Sequence, residues 1–269
     1  MVLARASWTT LRADRELLSL PIFSFLASLV TAGVFFGLAY VADPDLFSNL
    51  SEEGATQSPA LIVFGILTGV FLAIISTYFQ AAMVSGALER LRGGDPTVGS
   101  AIGSANAHLG VIIPWALFRW TVGAILQLIE ERFGAVGRIV SGLAGAAFQI
   151  VTFLAVPIII VEDLGPIDTL KRSGQLFKRT WGENLLAQFG LGIVSFVALL
   201  VGIIPAALIA AAISPIVGIV LGVLWVAAVI VVTTSLTAVY QTALYEYATT
   251  GEIPSTFQDV GFDTAFSPK

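Results

Sequence analysis

Long runs of apolar residues, separated by short polar connections, dominate the chain. A helix needs about 20 such residues to cross the hydrocarbon core of a bilayer. Six segments meet this length: Leu20–Ala42, Pro59–Leu88, Leu109–Ile129, Ile139–Val161, Leu185–Ile213 and Pro215–Tyr245. The pattern therefore predicts an all-α, polytopic membrane protein with six transmembrane helices arranged as three hairpins.

The last two segments are nearly continuous in the sequence. The stretch from Leu185 to Tyr245 is too long for a single crossing, and Ile213, Ser214 and Pro215 interrupt it. Proline at a first helical position and a polar residue before it are typical of a helix start. We therefore expect a tight turn at Ser214.

A strongly charged stretch, 160–186, separates the fourth segment from the fifth. Within it, apolar or small residues recur at alternating spacings of three and four, which places them on one helix face. They are Ile167, Leu170, Gly174, Phe177 and Trp181, and the opposite face holds Asp168, Lys171, Arg172, Lys178 and Arg179. This pattern predicts an amphipathic elbow helix along the cytoplasmic interface. Its Trp181 should lie at headgroup depth and its basic side chains should face anionic phosphates.

Similar elbow helices are predicted before two other hairpins. They cover Ala4–Glu16, ahead of the first segment, and Val98–His108, ahead of the third. We expect one membrane domain, residues 1–248, built of three units at about 1–92, 93–163 and 164–248. Each unit is an elbow helix followed by a helical hairpin, and residues 249–269 form a polar cytoplasmic tail.

The distribution of basic residues predicts the orientation. Connections on one side of the predicted membrane hold ten Lys and Arg residues, and those on the other side hold only Arg132 and Arg138. Because basic loops stay on the cytoplasmic side, we expect a multi-pass protein of the cell (plasma) membrane with both termini in the cytoplasm.

Composition agrees with a membrane protein and excludes several classes of site. Hydrophobic residues make up 57% of the chain and charged residues 12%, with a mean hydropathy of +0.91 and a net charge of −5. There is no cysteine and His108 is the single histidine, so no thiolate or multi-histidine metal site is expected. The sequence indicates no cofactor and no nucleic-acid surface, and its composition is typical of a prokaryotic protein.

Three polar residues inside apolar segments are candidates for a buried polar or transport pathway. Arg119 lies ten residues into the third segment, roughly 15 Å deep at the helical rise. An arginine at that depth should face the bundle interior or a wet cavity. Gln149 is predicted at similar depth and could hydrogen-bond it, and Gln80 is a further candidate. A structural polar contact is the alternative for all three.

Two acids and several glycines have structural and functional interpretations that stay open. Glu162 and Asp163, which end the fourth segment, could bind a cation, or could complement the next helix and pair with arginines.

Four G-x-x-x-G pairs indicate close helix packing, within one chain or between copies. The pairs are Gly33/Gly37, Gly65/Gly69, Gly99/Gly103 and Gly218/Gly222.

The charged stretch also carries a resemblance. Its pattern is Glu162-Asp163-Leu164-Gly165-Pro166, Leu170-Lys171-Arg172-Ser173, Leu176 and Trp181-Gly182-Glu183-Asn184. This resembles a signature of uncharacterised prokaryotic six-helix membrane proteins, known only as a domain of unknown function. It is also similar to the membrane domain that accompanies some glycerophosphodiester phosphodiesterases. Thr169 departs from the alanine common at that position. The resemblance implies a fold and a membrane location, and no activity.

No catalytic motif accompanies these features, since the sequence lacks phosphate-binding, zinc-protease and serine-hydrolase patterns. Our first hypothesis is a non-enzymatic protein that binds lipid or organises the membrane as a homo-oligomer, with a preference for anionic lipid. The headgroup candidates are Lys171, Arg172, Lys178, Arg179 and Trp181. The alternative is a channel or transporter for a small ion or solute that uses Arg119 and Gln149. An enzyme acting on lipid is a third possibility.

Overall fold

The computed structural model describes residues 15–44, 59–179 and 181–251, and every regular element in these ranges is a helix. A 3₁₀ turn, Arg15–Leu18, leads into the first long helix. The α-helices are α1 (Ser19–Ala42), α2 (Pro59–Leu91), α3 (Val98–Ala107), α4 (Leu109–Val151), α5 (Ala155–Glu162), α6 (Pro166–Arg179), α7 (Trp181–Ala212) and α8 (Pro215–Thr250). The all-α fold class is thus confirmed.

Four of the six predicted apolar segments correspond to single helices, α1, α2, α7 and α8. The predicted turn between the last two is also present, because Ser214 precedes α8 in an extended conformation and Pro215 occupies its first turn. Separate helices, α3 and α6, form at two of the positions predicted for elbow helices, and their place along a membrane interface stays a prediction. The first predicted elbow, Ala4–Glu16, and the tail, 249–269, lie almost entirely outside the described residues.

The chain between the third and fourth predicted segments breaks where the connection was predicted, within residues 130–138. The break is shorter than expected: α4 is helical on both sides of Gly134, whose φ of 56° and ψ of −127° are not helical. The chain turns back there, since the rings of Phe118 and Phe148 lie 6.1 Å apart. A straight helix would separate these two residues by about 45 Å. Glycine allows this turn because it tolerates positive φ.

The predicted segment Ile139–Val161 is divided between two helices. A three-residue turn at 152–154 separates α4 from α5. Pro157 lies in the first turn of α5, where its missing N–H leaves no intrahelical hydrogen bond unmade. The hydroxyl of Thr152 donates to the carbonyl oxygen of Phe148 at 2.7 Å and closes the preceding helix.

The main hydrophobic core lies at one end of the bundle. It combines the start of α1, the last third of α2, helix α3, the start of α4, helix α5 and one residue of α8. Its largest fully buried side chains include Leu20, Ile112, Trp115 and Ile159. Helix α6 packs beside this core through a second cluster that contains Leu176 and Tyr240. The two elbow helices therefore lie at the packed end of the molecule.

Away from that end, the long helices expose large apolar side chains. Among the described residues, five helical stretches are long and apolar enough to cross a membrane: Glu16–Ala42, Pro59–Leu91, Leu109–Glu162, Ser195–Ala212 and Pro215–Thr250. The stretch Leu109–Glu162, with 54 residues, would measure about 80 Å if straight, and it contains the turn at Gly134. These surfaces are those of a membrane protein.

Close helix contacts explain several glycines. A side chain at Gly202 would meet the Trp225 ring on α8, and one at Gly218 would meet Ala206 and Ala210 on α7. The indole Nε1 of Trp225 donates to the carbonyl oxygen of Ala198 at 2.9 Å. The Gly218/Gly222 pair therefore packs within the chain, and Gly69 lies against Trp120 in the same way.

Candidate functional site

The start of the elbow helix α6 is attached to the rest of the fold by three polar side chains. The Nε of Arg172 lies 3.0 and 2.9 Å from the two carboxylate oxygens of Glu162, at the end of α5. The hydroxyl of Tyr245 on α8 donates to the same carboxylate at 2.9 Å. We call Glu162, Arg172 and Tyr245 the elbow clamp. It joins three helices at one point.

The backbone between α5 and α6 is shaped by the neighbouring residues. Asp163 ends α5 in the left-handed conformation, with φ 51° and ψ 40°, and its N–H donates to the carbonyl oxygen of Ile159. The hydroxyl of Thr169 donates back to the carbonyl oxygen of Leu164 at 2.8 Å. Of the two interpretations of Glu162 and Asp163, the geometry favours the structural one, because Glu162 pairs with Arg172.

Helix α6 packs on the protein through a face that the sequence analysis did not select. Its buried residues are Thr169, Ser173 and Leu176, and the Ser173 hydroxyl donates to the carbonyl oxygen of Val151. The predicted apolar face is turned away from this contact, since Ile167 is 55% exposed. A separate face, formed by Thr169, Ser173 and Leu176, makes the contact with the protein.

The basic headgroup candidates on α6 differ in their surroundings. Arg172 belongs to the elbow clamp. Lys171 is exposed and pairs with Asp168 at 3.3 Å, a contact of little energetic weight at a surface. Lys178 is exposed and makes no ion pair within the described part of the chain. The side chains of Arg179 and Trp181 lie outside the described residues.

The two deep polar candidates, Arg119 and Gln149, are not joined. Each side chain is exposed, and the expected hydrogen bond between them is absent from the described residues. Arg119 lies on the same face of α4 as Ile112 and Trp115, by the spacing of three and four. Those two residues are buried. Arg119 lies one turn further along α4, where neighbouring helices no longer cover that face.

Gln80 makes the contact expected of an interhelical polar residue. Its Nε2 donates to Oε1 of Gln241 on α8 at 3.3 Å, and Gln241 is 6% exposed. This hydrogen bond links α2 to α8 inside the packed end of the bundle. The structural interpretation of Gln80 therefore has direct support.

Sequence reasoning missed a polar cleft of about 440 Å³ at the end of α2. It lies between α2, α3 and the end of α5, and it is lined by Ser85, Leu88, Glu89, Arg92, Gly94, Ser100, Ser104 and Ile160. The first five of these residues lie towards the end of α2 or in the turn after it, where no sequence pattern marks them as a site. Three serines dispersed over two helices give no sequence motif, so only their meeting in the fold reveals the cleft.

A metal centre finds no support within the described residues, which contain no group of three His, Asp or Glu side chains able to hold an ion. His108 lies at the junction of α3 and α4, with its Nδ1 2.8 Å from the carbonyl oxygen of Ser104. This is the packed position expected of a lone histidine at a helix junction.

Comparison with known proteins identifies a family and no activity. The chain matches the Family of unknown function (DUF6159) over residues 60–255. No curated protein and no solved structure matches it significantly. The predicted kinship with a family of uncharacterised proteins is thus confirmed, whereas the similarity to membrane domains that accompany phosphodiesterases stays a prediction.

Proposed function

The chain belongs to the family of unknown function DUF6159, and we propose that it is a non-enzymatic integral membrane protein that binds lipid and organises the surrounding bilayer. The observation that carries this proposal is the division of α6 into three faces. One packs on the protein, one presents Leu170 and Phe177, and one presents polar and charged side chains, with Ile167, Lys171 and Lys178 at the border between the last two. A helix with an apolar and a basic free face suits the boundary between acyl chains and anionic headgroups.

The elbow clamp supports the same proposal. A surface helix held by a paired arginine and a buried tyrosine keeps a fixed angle to the bundle. Its basic side chains therefore point towards the same surface. Lys171 and Lys178 are exposed on that side. Each basic residue near an anionic surface contributes about 1 kcal/mol of attraction. These two lysines, with Arg179, are the proposed headgroup contacts, and Trp181 is the proposed interfacial anchor.

An apolar groove gives a place for acyl chains. It has a volume of about 820 Å³ and lies between α1 and the hairpin of α7 and α8, from Leu18 and Phe25 on one wall to Ile219 and Val232 on the other. In a bilayer, acyl chains suit such a groove because the residues that line it are apolar. Tight annular lipid there is consistent with a membrane-organising role.

The membrane arrangement proposed here has six crossings, with both termini in the cytoplasm. It counts Leu109–Glu162 as two crossings that meet at Gly134, outside the membrane. Cysteine labelling tests it directly, because the chain has no native cysteine. A membrane-impermeant maleimide should label Arg132→Cys in intact cells and Lys178→Cys only after permeabilisation. Labelling of both from the same side would contradict the arrangement.

Lipid selectivity tests the function. The protein is reconstituted with equal amounts of phosphatidylglycerol and phosphatidylcholine, and the lipid retained after extraction is quantified. We expect phosphatidylglycerol to be enriched, and Lys171→Gln with Lys178→Gln to reduce the enrichment about fivefold for each lysine, from about 1 kcal/mol per charge. The matched control, Arg132→Gln with Arg138→Gln, removes two charges near Gly134 and should leave the enrichment unchanged. Equal retention of both lipids by the unaltered protein excludes the proposal.

Self-association is the second part of the proposal, with α1 as the seam. Gly33 and Gly37 are exposed on α1 and have no heavy atom within 4 Å of a built side-chain position in the described structure. Small residues on an open face allow close approach of a second helix. A cysteine at Val30, on the same face, should form a disulfide dimer in membranes, and Gly33→Ile should prevent it. An equal yield from Ile230→Cys on α8 would remove the argument for this seam.

Transport is the second candidate function, and the position of Arg119 favours it. This arginine lies at mid-segment depth, beyond the buried part of its helix face, without a hydrogen bond or ion pair in the described chain. Ion and solute flux is measured in proteoliposomes for the unaltered protein, for Arg119→Ala and for the control Arg132→Ala. Flux that is lost only in Arg119→Ala supports transport. Absence of flux in correctly inserted protein eliminates it.

A further inference from the structure

The polar cleft at the end of α2 offers hydrogen-bond acceptors. The hydroxyl of Ser85 donates to the carbonyl oxygen of Ala81 at 2.9 Å, and the hydroxyl of Ser104 donates to Ser85 Oγ at 2.9 Å. The hydroxyl of Ser100 donates to Oε2 of Glu89 at 2.8 Å. Each of the three hydroxyl protons is therefore engaged within the protein. The serine oxygens can therefore act towards a ligand only as hydrogen-bond acceptors, through their lone pairs.

The charge of the cleft is negative. Arg92 lies in its lining, but its Nη2 pairs with Oε1 of Glu246 at 2.8 Å, so the positive charge is compensated from α8. Glu89 accepts the Ser100 hydrogen bond and has no cationic partner among the described residues. The cleft also lies at the carboxyl end of α2, which ends at Leu91, where the helix dipole is negative. A cationic donor is the chemistry that fits.

The size and walls of the cleft distinguish between cations. Its volume of about 440 Å³ greatly exceeds the roughly 30 Å³ that one water molecule occupies in the liquid. Leu88 and Ile160 form an apolar wall beside the oxygen atoms. A bare metal ion would make no favourable contact with this apolar wall, whereas the carbon chain of an alkylammonium group would pack against it. We propose that this cleft binds a primary alkylammonium group, which donates to Glu89 and to the lone pairs of Ser104 and Ser85.

An ammonium group could come from a soluble amine or from an aminolipid headgroup at the membrane surface. The proposal concerns the shared N–H donor chemistry, and it is independent of the basic face of α6. Phosphatidylethanolamine carries three N–H donors on its headgroup. Phosphatidylcholine has the same charge and none of these donors, so it is the matched control ligand.

Native mass spectrometry of the full-length protein in detergent tests the proposal. Phosphatidylethanolamine, phosphatidylcholine and free ethanolamine are the probes. We expect phosphatidylethanolamine or ethanolamine to bind at least tenfold more tightly than phosphatidylcholine. If both amines bind, ethanolamine should displace the lipid. If ethanolamine alone binds, the source is a soluble amine, and if the lipid alone binds, the source is the headgroup.

Two variants locate the binding in the cleft. Glu89→Gln can still accept the Ser100 hydrogen bond but lacks the charge, and it should reduce amine binding at least tenfold. Asp95→Asn removes an exposed carboxylate from the same connection, where Asp95 pairs with Arg90 at 3.0 Å, and it should bind as the unaltered protein does. If Glu89→Gln does not fold, Ser104→Ala gives the second readout, with weaker amine binding expected. Equal binding of both lipids without ethanolamine binding, or full amine binding by the folded variant, overturns the proposal. Phosphatidylglycerol enrichment should be unchanged in Glu89→Gln, which separates this test from that of the α6 lysines.

Discussion

The Nε of Arg172 contacts both carboxylate oxygens of Glu162, at 3.0 and 2.9 Å, across the turn that separates α5 from α6. The two residues are ten positions apart, and Tyr245 reaches the same carboxylate from another helix. This pair fixes the direction in which the elbow helix leaves the bundle. It also sets Arg172 apart from Lys171 and Lys178, whose side chains are exposed.

Breaking the elbow clamp should loosen α6 before the rest of the fold. Tyr245→Phe removes one hydrogen bond to a charged acceptor and should lower the free energy of unfolding by about 2 kcal/mol. Hydrogen exchange of residues 166–179 should accelerate, because the helix loses a connection to α8. Thermal unfolding in detergent and exchange mass spectrometry measure the two effects.

Lys171→Gln is the control for the clamp. Its ion pair with Asp168 is exposed on both sides, so the expected loss is below about 1 kcal/mol. If Tyr245→Phe and Lys171→Gln had the same small effect, the clamp would not be what holds the elbow.

Gly202 should tolerate no larger residue. A Cβ atom there would overlap the Trp225 ring, so Gly202→Ala must displace the indole and its hydrogen bond to Ala198. Overpacking of this kind destabilises by about 1–3 kcal/mol. Gly123→Ala on α4, where the space is open, should be neutral or slightly stabilising because alanine favours helices. Unfolding titrations compare the two, and equal stability of both variants would disprove the close packing of α7 on α8.

The Gln80–Gln241 hydrogen bond should show a measurable coupling. In a double-mutant cycle of Gln80→Leu and Gln241→Leu, the coupling free energy is expected near 0.6 kcal/mol, about the mean for polar pairs between membrane helices. Each single variant leaves one amide without its partner in the packed end, so the double variant should be less destabilised than the sum. Strict additivity would show that the two amides do not interact.

The sequence predicted those parts of the fold that depend on local pattern. Long apolar runs located α1, α2, α7 and α8, and Pro215 located the turn before α8, because both signals act over a few neighbouring residues. The connection predicted at 130–138 contains the break at Gly134, but its restriction to a single glycine was not predicted, because one glycine among many carries no distinguishing pattern. Hydropathy does not locate the turn at 152–154, because the apolar run continues through it.

The contacts of the candidate sites depend on long-range packing, which local spacing does not contain. Tyr245 meets Glu162 across 83 positions and Gln80 meets Gln241 across 161 positions. The face of α6 that packs on the protein also could not be predicted from local spacing. In a membrane protein, an apolar face can be directed to lipid, so Thr169 and Ser173 can occupy the protein contact instead of Ile167.

Site-directed spin labelling of α6 tests the central claim most directly, because the chain has no cysteine of its own and single cysteines can be placed along the helix in reconstituted protein. If α6 lies in the interface, labels at positions 170 and 177 should collide mainly with oxygen, which concentrates in lipid. Labels at 168 and 175, on the opposite side of the helix, should collide mainly with a water-soluble nickel chelate, and labels at 169, 173 and 176 with neither. Nickel collisions of equal strength at 168, 170 and 177 would place the helix in water, away from the membrane, and would contradict the account.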